Sequence, residues 1–227
     1  SVGLMTALWL EYRKRNSEKL QMLRSGYMGK MKKLLSLEIV AALVVSFSVL
    51  PSSAYNLLGS GKLAGGIYNR TYYIGCSSYK YINAFNAAIE DWNWALNPND
   101  NGSGVDFYFR RVNSSAGTTI CFWGETRPNE SWAGETRLLD ANGKNMLDNG
   151  SYRYSNWVHA SISFNTARVP ENNASKMRSI AGHEIGHAIG LAHNQSDNGV
   201  LMYQGFVART AIVPTDDDTA GARAIYG

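Results

Sequence analysis

Histidine is nearly absent from this chain: there are four in 227 residues, and only His159 lies outside a single stretch of eleven. Cysteine is scarcer still, with Cys76 and Cys121 alone. Two thiols allow one bridge in an oxidising compartment, with a pair of free buried thiols as the alternative; the bridge is the expectation carried forward. Neither thiol sits in a recognisable nucleophile motif, which argues against cysteine catalysis. A basic surplus is also missing from most of the chain. The net charge of +4 arises in residues 1–54, where eight Lys/Arg face three acids, leaving 14 basic and 15 acidic residues in the rest. Nucleic acid is therefore excluded as a partner. No internal repeat is found, so solenoid and propeller architectures drop out. What is present is 44% hydrophobic and 11% aromatic content, enough for a packed core.

The first 54 residues read as a targeting segment behind extra sequence. Met31-Lys32-Lys33 forms a charged start, residues 34–50 are apolar, and Pro51-Ser52-Ser53-Ala54 supplies a helix breaker and small residues for cleavage after Ala54. An uncleaved membrane anchor is the alternative, and Glu38 within the apolar run argues against it. The expected organisation is an upstream extension over 1–30, a signal peptide over 31–54 and one folded domain over 55–227. This implies a secreted, extracellular protein that meets a membrane only through the leader if it stays attached.

Within 55–227, residues 55–66 are rich in Gly and Ser and predict an extended arm. Residues 71–74 read as a strand from their β-branched and aromatic content. Ile82, Phe85, Ile89, Trp92 and Leu96 recur at three- and four-residue intervals and predict an amphipathic helix ending before Pro98. Further strands are expected at 105–112, 118–123 and 158–164, with Val158, Ala160, Ile162 and Phe164 sharing one face. Between the last two lies a polar stretch with turn signals at Asn142-Gly143 and Asn149-Gly150. Helices are expected at 175–191 and from the aspartates 216–218 to the end. The Asx-rich turn at residues 97–102 lacks the downstream glutamate of an EF loop and reads as a surface turn, so calcium binding is unsupported.

The chemistry concentrates in His183-Glu184-Ile185-Gly186-His187-Ala188-Ile189-Gly190-Leu191-Ala192-His193. Positions four apart share a helix face, so His183 and His187 present their imidazoles to one ion. Gly190 permits the chain to turn out of the helix, and His193 arrives as a third ligand. Three neutral imidazoles leave an open position on zinc, the catalytic rather than the structural pattern. Glu184 follows a ligand directly and is placed to take the proton of a zinc-activated water.

This eleven-residue form, followed by Met202 nine residues after His193, resembles the metzincins, and within them the matrixins, the group of the matrix metalloproteinases. Met202 and Tyr203 take the place of the Met-turn, a hydrophobic floor beneath the zinc. The tail from Asp217 to Gly227 is similar to the closing helix of that family, where an Asp pair ties the helix to the Met-turn. The resemblance covers roughly 68–227. It implies an α+β catalytic domain: a twisted, mostly parallel sheet with an antiparallel edge strand, covered by two long helices, plus a C-terminal helix. It also implies a monomeric zinc endopeptidase holding one catalytic Zn2+ and acting on protein or peptide substrates along the edge strand.

Several features depart from the family. No cysteine-switch propeptide is recognised after Ala54. The lone His159 excludes a His-rich second zinc site, and Gln204-Gly205-Phe206 replaces a Pro-containing wall beside the specificity pocket. A compact bacterial enzyme is the expectation. Two other readings stand beside the peptidase: a silent zinc-bearing binding module, against which the intact residues argue, and a zinc hydrolase of a non-peptide amide or ester.

Overall fold

A computed structural model describes residues 55–97, 105–148, 151–152, 155–169 and 171–227, together with Arg15, Ser17, Glu18, Gln21 and Met22. The chain divides into two units, residues 1–52 and 53–227. The five described residues of the first are helical. The targeting segment at 31–54, residues 98–102 of the Asx-rich turn and the Asn149-Gly150 turn lie outside the described residues. Among the described residues, no helix is long and apolar enough to cross a membrane.

The second unit is built from nine strands and three helices among the described residues. In chain order the elements are β1 (Asn56–Leu57), β2 (Arg70–Ile74), α1 (Tyr79–Leu96), β3 (Phe109–Arg111), β4 (Ile120–Glu125) and β5 (Gly134–Leu139). There follow β6 (Leu147–Asp148), β7 (Ser151–Tyr152), β8 (His159–Asn165), α2 (Ala174–Ala188), β9 (Leu191–Ala192) and α3 (Asp216–Tyr226). The main sheet has the order β3-β2-β4-β8-β5. Its first four strands are parallel, and β5 closes one edge antiparallel to β8.

The apolar stripe of α1 packs onto this sheet as its spacing predicts. Phe85, Ile89, Trp92 and Leu96 are buried, and Ile82 is half-buried. The Phe85 ring sits 4.3 Å from that of Phe122 on β4 and 4.4 Å from that of Phe164 on β8, so one side chain joins helix and two strands. Truncating such a side chain to alanine costs about 3–5 kcal/mol, part transfer energy and part cavity. Trp92 reaches farther, donating from Nε1 to the Gly182 carbonyl at 2.9 Å and so pinning α1 to α2.

Three expectations are corrected. The polar stretch after β4 contains the strand β5. Its outward Glu135 and Arg137 pair with each other at 2.7 Å, and as an edge strand it buries too little to show an apolar rhythm. The strand expected over 105–112 forms a ladder only at Phe109–Arg111, although Val105, Phe107 and Phe109 are all buried. Val158 does not share the buried face with Ala160, Ile162 and Phe164; it is 44% exposed, because β4 pairs with β8 only from Ala160 onward.

The two cysteines are free. Cys121 lies opposite Tyr73 in the β2–β4 ladder, whereas the Cys76 Cβ lies 3.4 Å from where a Cβ on Gly124 would stand. Cys76 is thus placed three residues farther along β4 than Cys121, roughly 10 Å at the rise of a strand. A bridge requires Cα atoms within about 7 Å.

The arm at 55–66 is not only extended. Its β1 pairs antiparallel with β9, Asn56 opposite Ala192 and Leu57 opposite Leu191. The segment leading to His193 is thereby held in a two-stranded ribbon, with Asn56 Nδ2 donating to the His193 carbonyl at 2.8 Å.

Candidate metal centre

Helix α2 starts at Asn173, whose side chain accepts from the Lys176 amide at 2.9 Å. It ends one turn earlier than expected, because Gly190 takes φ +106 and reverses the chain. A side chain there would be strained by the backbone and would meet Ile225 and Trp157 besides. The reversal brings His193 back to the face carrying His183 and His187.

The three imidazoles converge through their Nε2 atoms. His187 Nε2 lies 3.1 Å from His183 Nε2 and 3.1 Å from His193 Nε2. Two nitrogens bound tetrahedrally at about 2.0–2.1 Å would stand roughly 3.3 Å apart, so the donor set suits zinc. The outer nitrogens are tied down: His183 Nδ1 lies 2.8 Å from the Leu201 carbonyl and His187 Nδ1 2.7 Å from the Leu191 carbonyl. Each Nδ1–H donates to its carbonyl, which turns the lone pair of Nε2 inward. Burial holds His183 well below its ordinary pKa, and burial with the neighbouring His193 pushes His187 down to about 3. His193 is lowered by burial and then by Arg209. Burial thus keeps these imidazoles neutral, the form a metal requires.

Met202 packs against α2 at Gly186. A Cβ on Gly186 would collide with its sulfur, so glycine in α2 lets the Met-turn approach the helix. The turn is held from α3. Asp218 Oδ2 accepts from the Leu201 amide at 3.0 Å, and Oδ1 from the Met202 amide at 3.0 Å. It also completes the capping box of α3, accepting from the Thr215 amide at 2.8 Å and hydroxyl at 2.7 Å. Asp218 thus orders Leu201, whose carbonyl in turn orients His183.

Glu184 is buried and faces the edge strand. The Thr136 hydroxyl donates to it, 2.7 Å from Oε2 and 3.0 Å from the Glu184 carbonyl. Burial raises the Glu184 pKa to about 7, with the Thr136 bond acting in the opposite sense. Gly134 makes room, since a Cβ there would lie 2.6 Å from Oε1. Beside these residues opens a cavity of about 280 Å³, lined in part by His183, Glu184, His193 and Arg209. Thr136, Gly134 and Arg209 carry no sequence motif and were not among the expected site residues. Tyr203 is half-buried and bridges to Asn194 on the far side of the Met-turn.

Parts of the chain are similar to known proteins. Metalloendoproteinase 1 of Glycine max is 39% identical over 72 residues, 31% of this chain and 22% of that protein. Interstitial collagenase of Bos taurus is 44% identical over 48 residues, 21% of this chain and 10% of that protein. Neutrophil collagenase of Homo sapiens is 47% identical over 51 residues, again 21% and 10%. The chain thus spans only about a tenth to a fifth of the curated relatives it matches. A solved structure described as the GM1 bound form of the ECX AB5 holotoxin aligns at TM-score 0.46 and 16% identity, over 76% of this chain and 88% of that one. The matrixin family model matches residues 71–227, from β2 through α3 with all three converging histidines inside it, and the chain belongs to the matrixin family.

Proposed function

We propose that this chain is a secreted zinc endopeptidase with His183, His187 and His193 as the metal ligands and Glu184 as the general base. The observation that carries the reading is the convergence of three neutral Nε2 atoms beside a buried carboxylate. Zinc, when bound there, supplies Lewis acidity, polarising a peptide carbonyl and acidifying water. Glu184 takes up the proton at Oε1, since Oε2 is engaged by Thr136. The base is poised for this because burial favours its neutral form, and it passes the proton on to the leaving amine. An extended peptide is the natural substrate. Met146 and Asn145 cover the outer edge of β5 at Leu138 and Leu139, but its start at Gly134, beside Glu184, has no strand next to it among the described residues, so a substrate strand adds there by backbone hydrogen bonds. Family membership supports the zinc and peptidase assignments. The apolar leader and Ser52-Ser53-Ala54 support export, with a mature start near Tyr55.

The test is cleavage of casein by the full chain, with and without a chelator, for wild type, Glu184→Gln and His187→Ala. Glu184→Gln should keep one equivalent of zinc and lose about 10²–10⁴ in rate. His187→Ala should lose zinc, melting temperature and activity together. A Glu184→Gln protein that loses its metal, or cleaves within tenfold of wild type, would remove Glu184 from the role of base.

A further inference from the structure

The cavity beside the histidines has a cation in its lining. Arg209 is only 4% exposed, and its neighbours within hydrogen-bond distance are all uncharged. Nε donates to Ser179 Oγ at 3.0 Å, and Nη1 donates to the carbonyls of Leu201 at 3.1 Å and Tyr203 at 3.0 Å. Nη2 has no partner among the described residues. Every fully buried side-chain nitrogen and oxygen among them does have one, so Nη2 is the part of the guanidinium that reaches open space. The space it lines is the cavity of about 280 Å³ shared with Trp132, Gly134, Ile180, Gln204 and Phe206.

The protein's own acids do not neutralise this charge by contact. Asp218 is committed to the amides of Leu201, Met202 and Thr215, and Glu184 to Thr136. A second cation stands close by: Lys176 Nζ donates to the Phe206 carbonyl at 2.5 Å, with the Val207 and Arg209 carbonyls each at 3.4 Å. Lys176 is half-buried and lies outside the cavity lining, and Glu184 and Asp218 act on Arg209 only through space, so the charge that the cavity meets is the Nη2 edge of Arg209. A guanidinium with a free N–H is suited to a carboxylate.

We infer that this cavity receives an acidic side chain of the substrate, a Glu or Asp flanking the scissile bond, whose carboxylate accepts from Nη2 of Arg209. The inference rests on the peptidase reading above. His183, Glu184 and His193 line the same cavity, so a peptide cut at those residues puts a side chain next to the cut bond into it. Ile180 and Phe206 add apolar wall beside the pair, which strengthens it relative to a contact surrounded by water. Gln204 offers an amide at the wall.

The test compares kcat/KM of the zinc-loaded full chain on peptides identical except for Glu, Gln or Leu at the residues flanking the cleaved bond, with casein cleavage run in parallel. Glu should exceed Gln by about 10- to 100-fold on one side of the bond, the range of a hydrogen bond to a charged group. Arg209→Gln should bring that ratio to within about twofold of unity. A role confined to bracing the Met-turn would lower all substrates alike and leave the ratio unchanged. Casein cleavage with Gln or Leu equal to or better than Glu in wild type overturns the assignment of the cavity and leaves the peptidase reading standing. A Glu preference that survives in Arg209→Gln overturns the assignment to Arg209. If that variant does not fold, the wild-type ratio decides alone. Failure to cleave casein or any peptide overturns the peptidase reading and this inference with it.

Discussion

The hydroxyl of Thr136 lies 2.7 Å from Oε2 of Glu184 and 3.0 Å from the same residue's carbonyl oxygen, so one edge-strand side chain addresses both ends of the residue that follows His183. Replacement by valine keeps the shape and removes the bond. Thr136→Val should fold and bind zinc as wild type does, with kcat lowered about tenfold, the worth of one hydrogen bond to a charged group. Metal analysis and steady-state kinetics measure this, and an unchanged kcat would show that Glu184 holds its place without Thr136.

Gly134 acts on the other carboxylate oxygen by what it leaves open. With a Cβ 2.6 Å from Oε1 and 2.8 Å from Cγ, Gly134→Ala must displace the Glu184 side chain. A displacement near 1 Å in a catalytic group costs about 10² in rate. The expected result is a loss of that order at constant zinc content and melting temperature. Loss of zinc alongside activity would locate the damage in α2 rather than in Glu184.

Asp218 links the closing helix to the metal centre through the Leu201 and Met202 amides. Asp218→Asn sets an NH2 group against backbone N–H donors in a fully buried site. The cost should be about 2–4 kcal/mol, since charged hydrogen bonds are lost and a buried donor is left facing donors. Because Leu201 also orients His183, zinc affinity should fall about 10- to 100-fold. Thermal melting and competition with a chromogenic chelator report the two effects. A variant that melts earlier with unchanged affinity would separate α3 from the metal.

Glu125, at the end of β4, accepts from Ser163 Oγ at 2.7 Å and from Arg127 at 2.8 Å and 3.0 Å. The Ser163 bond first, and then Arg127, lower its pKa below the ordinary 4.5. A depressed folded pKa means that the unfolded chain takes up the proton first on acidification. The stabilisation is therefore complete well above pH 4.5 and fades as pH falls through the folded value. The melting-temperature difference between wild type and Glu125→Gln should be largest near neutrality and shrink below about pH 4.5. A difference that grows on acidification would reverse the assigned sign.

The sequence alone determined the parts of this protein that depend on near neighbours in the chain. His183 and His187 share a face because a helix repeats every 3.6 residues, and Gly190 marks the exit because a positive φ strains any side chain. The stripe of α1 was legible for the same reason, since a helix carries its own hydrogen bonds and shows its buried face in the spacing. An edge strand has no such autonomy. β5 exists because β8 offers a partner at Gly134–Leu139, and its alternating Glu135, Thr136 and Arg137 resemble a polar loop until that partner is in place. The register of parallel strands likewise decided that Cys76 and Cys121 stand apart and that Val158 faces solvent. Only the tertiary structure could bring Thr136 to Glu184 across 48 residues, and Arg209 to Ser179 across 30. Those contacts are set by how strand, helix and Met-turn pack, which depends on the whole core at once rather than on any local spacing.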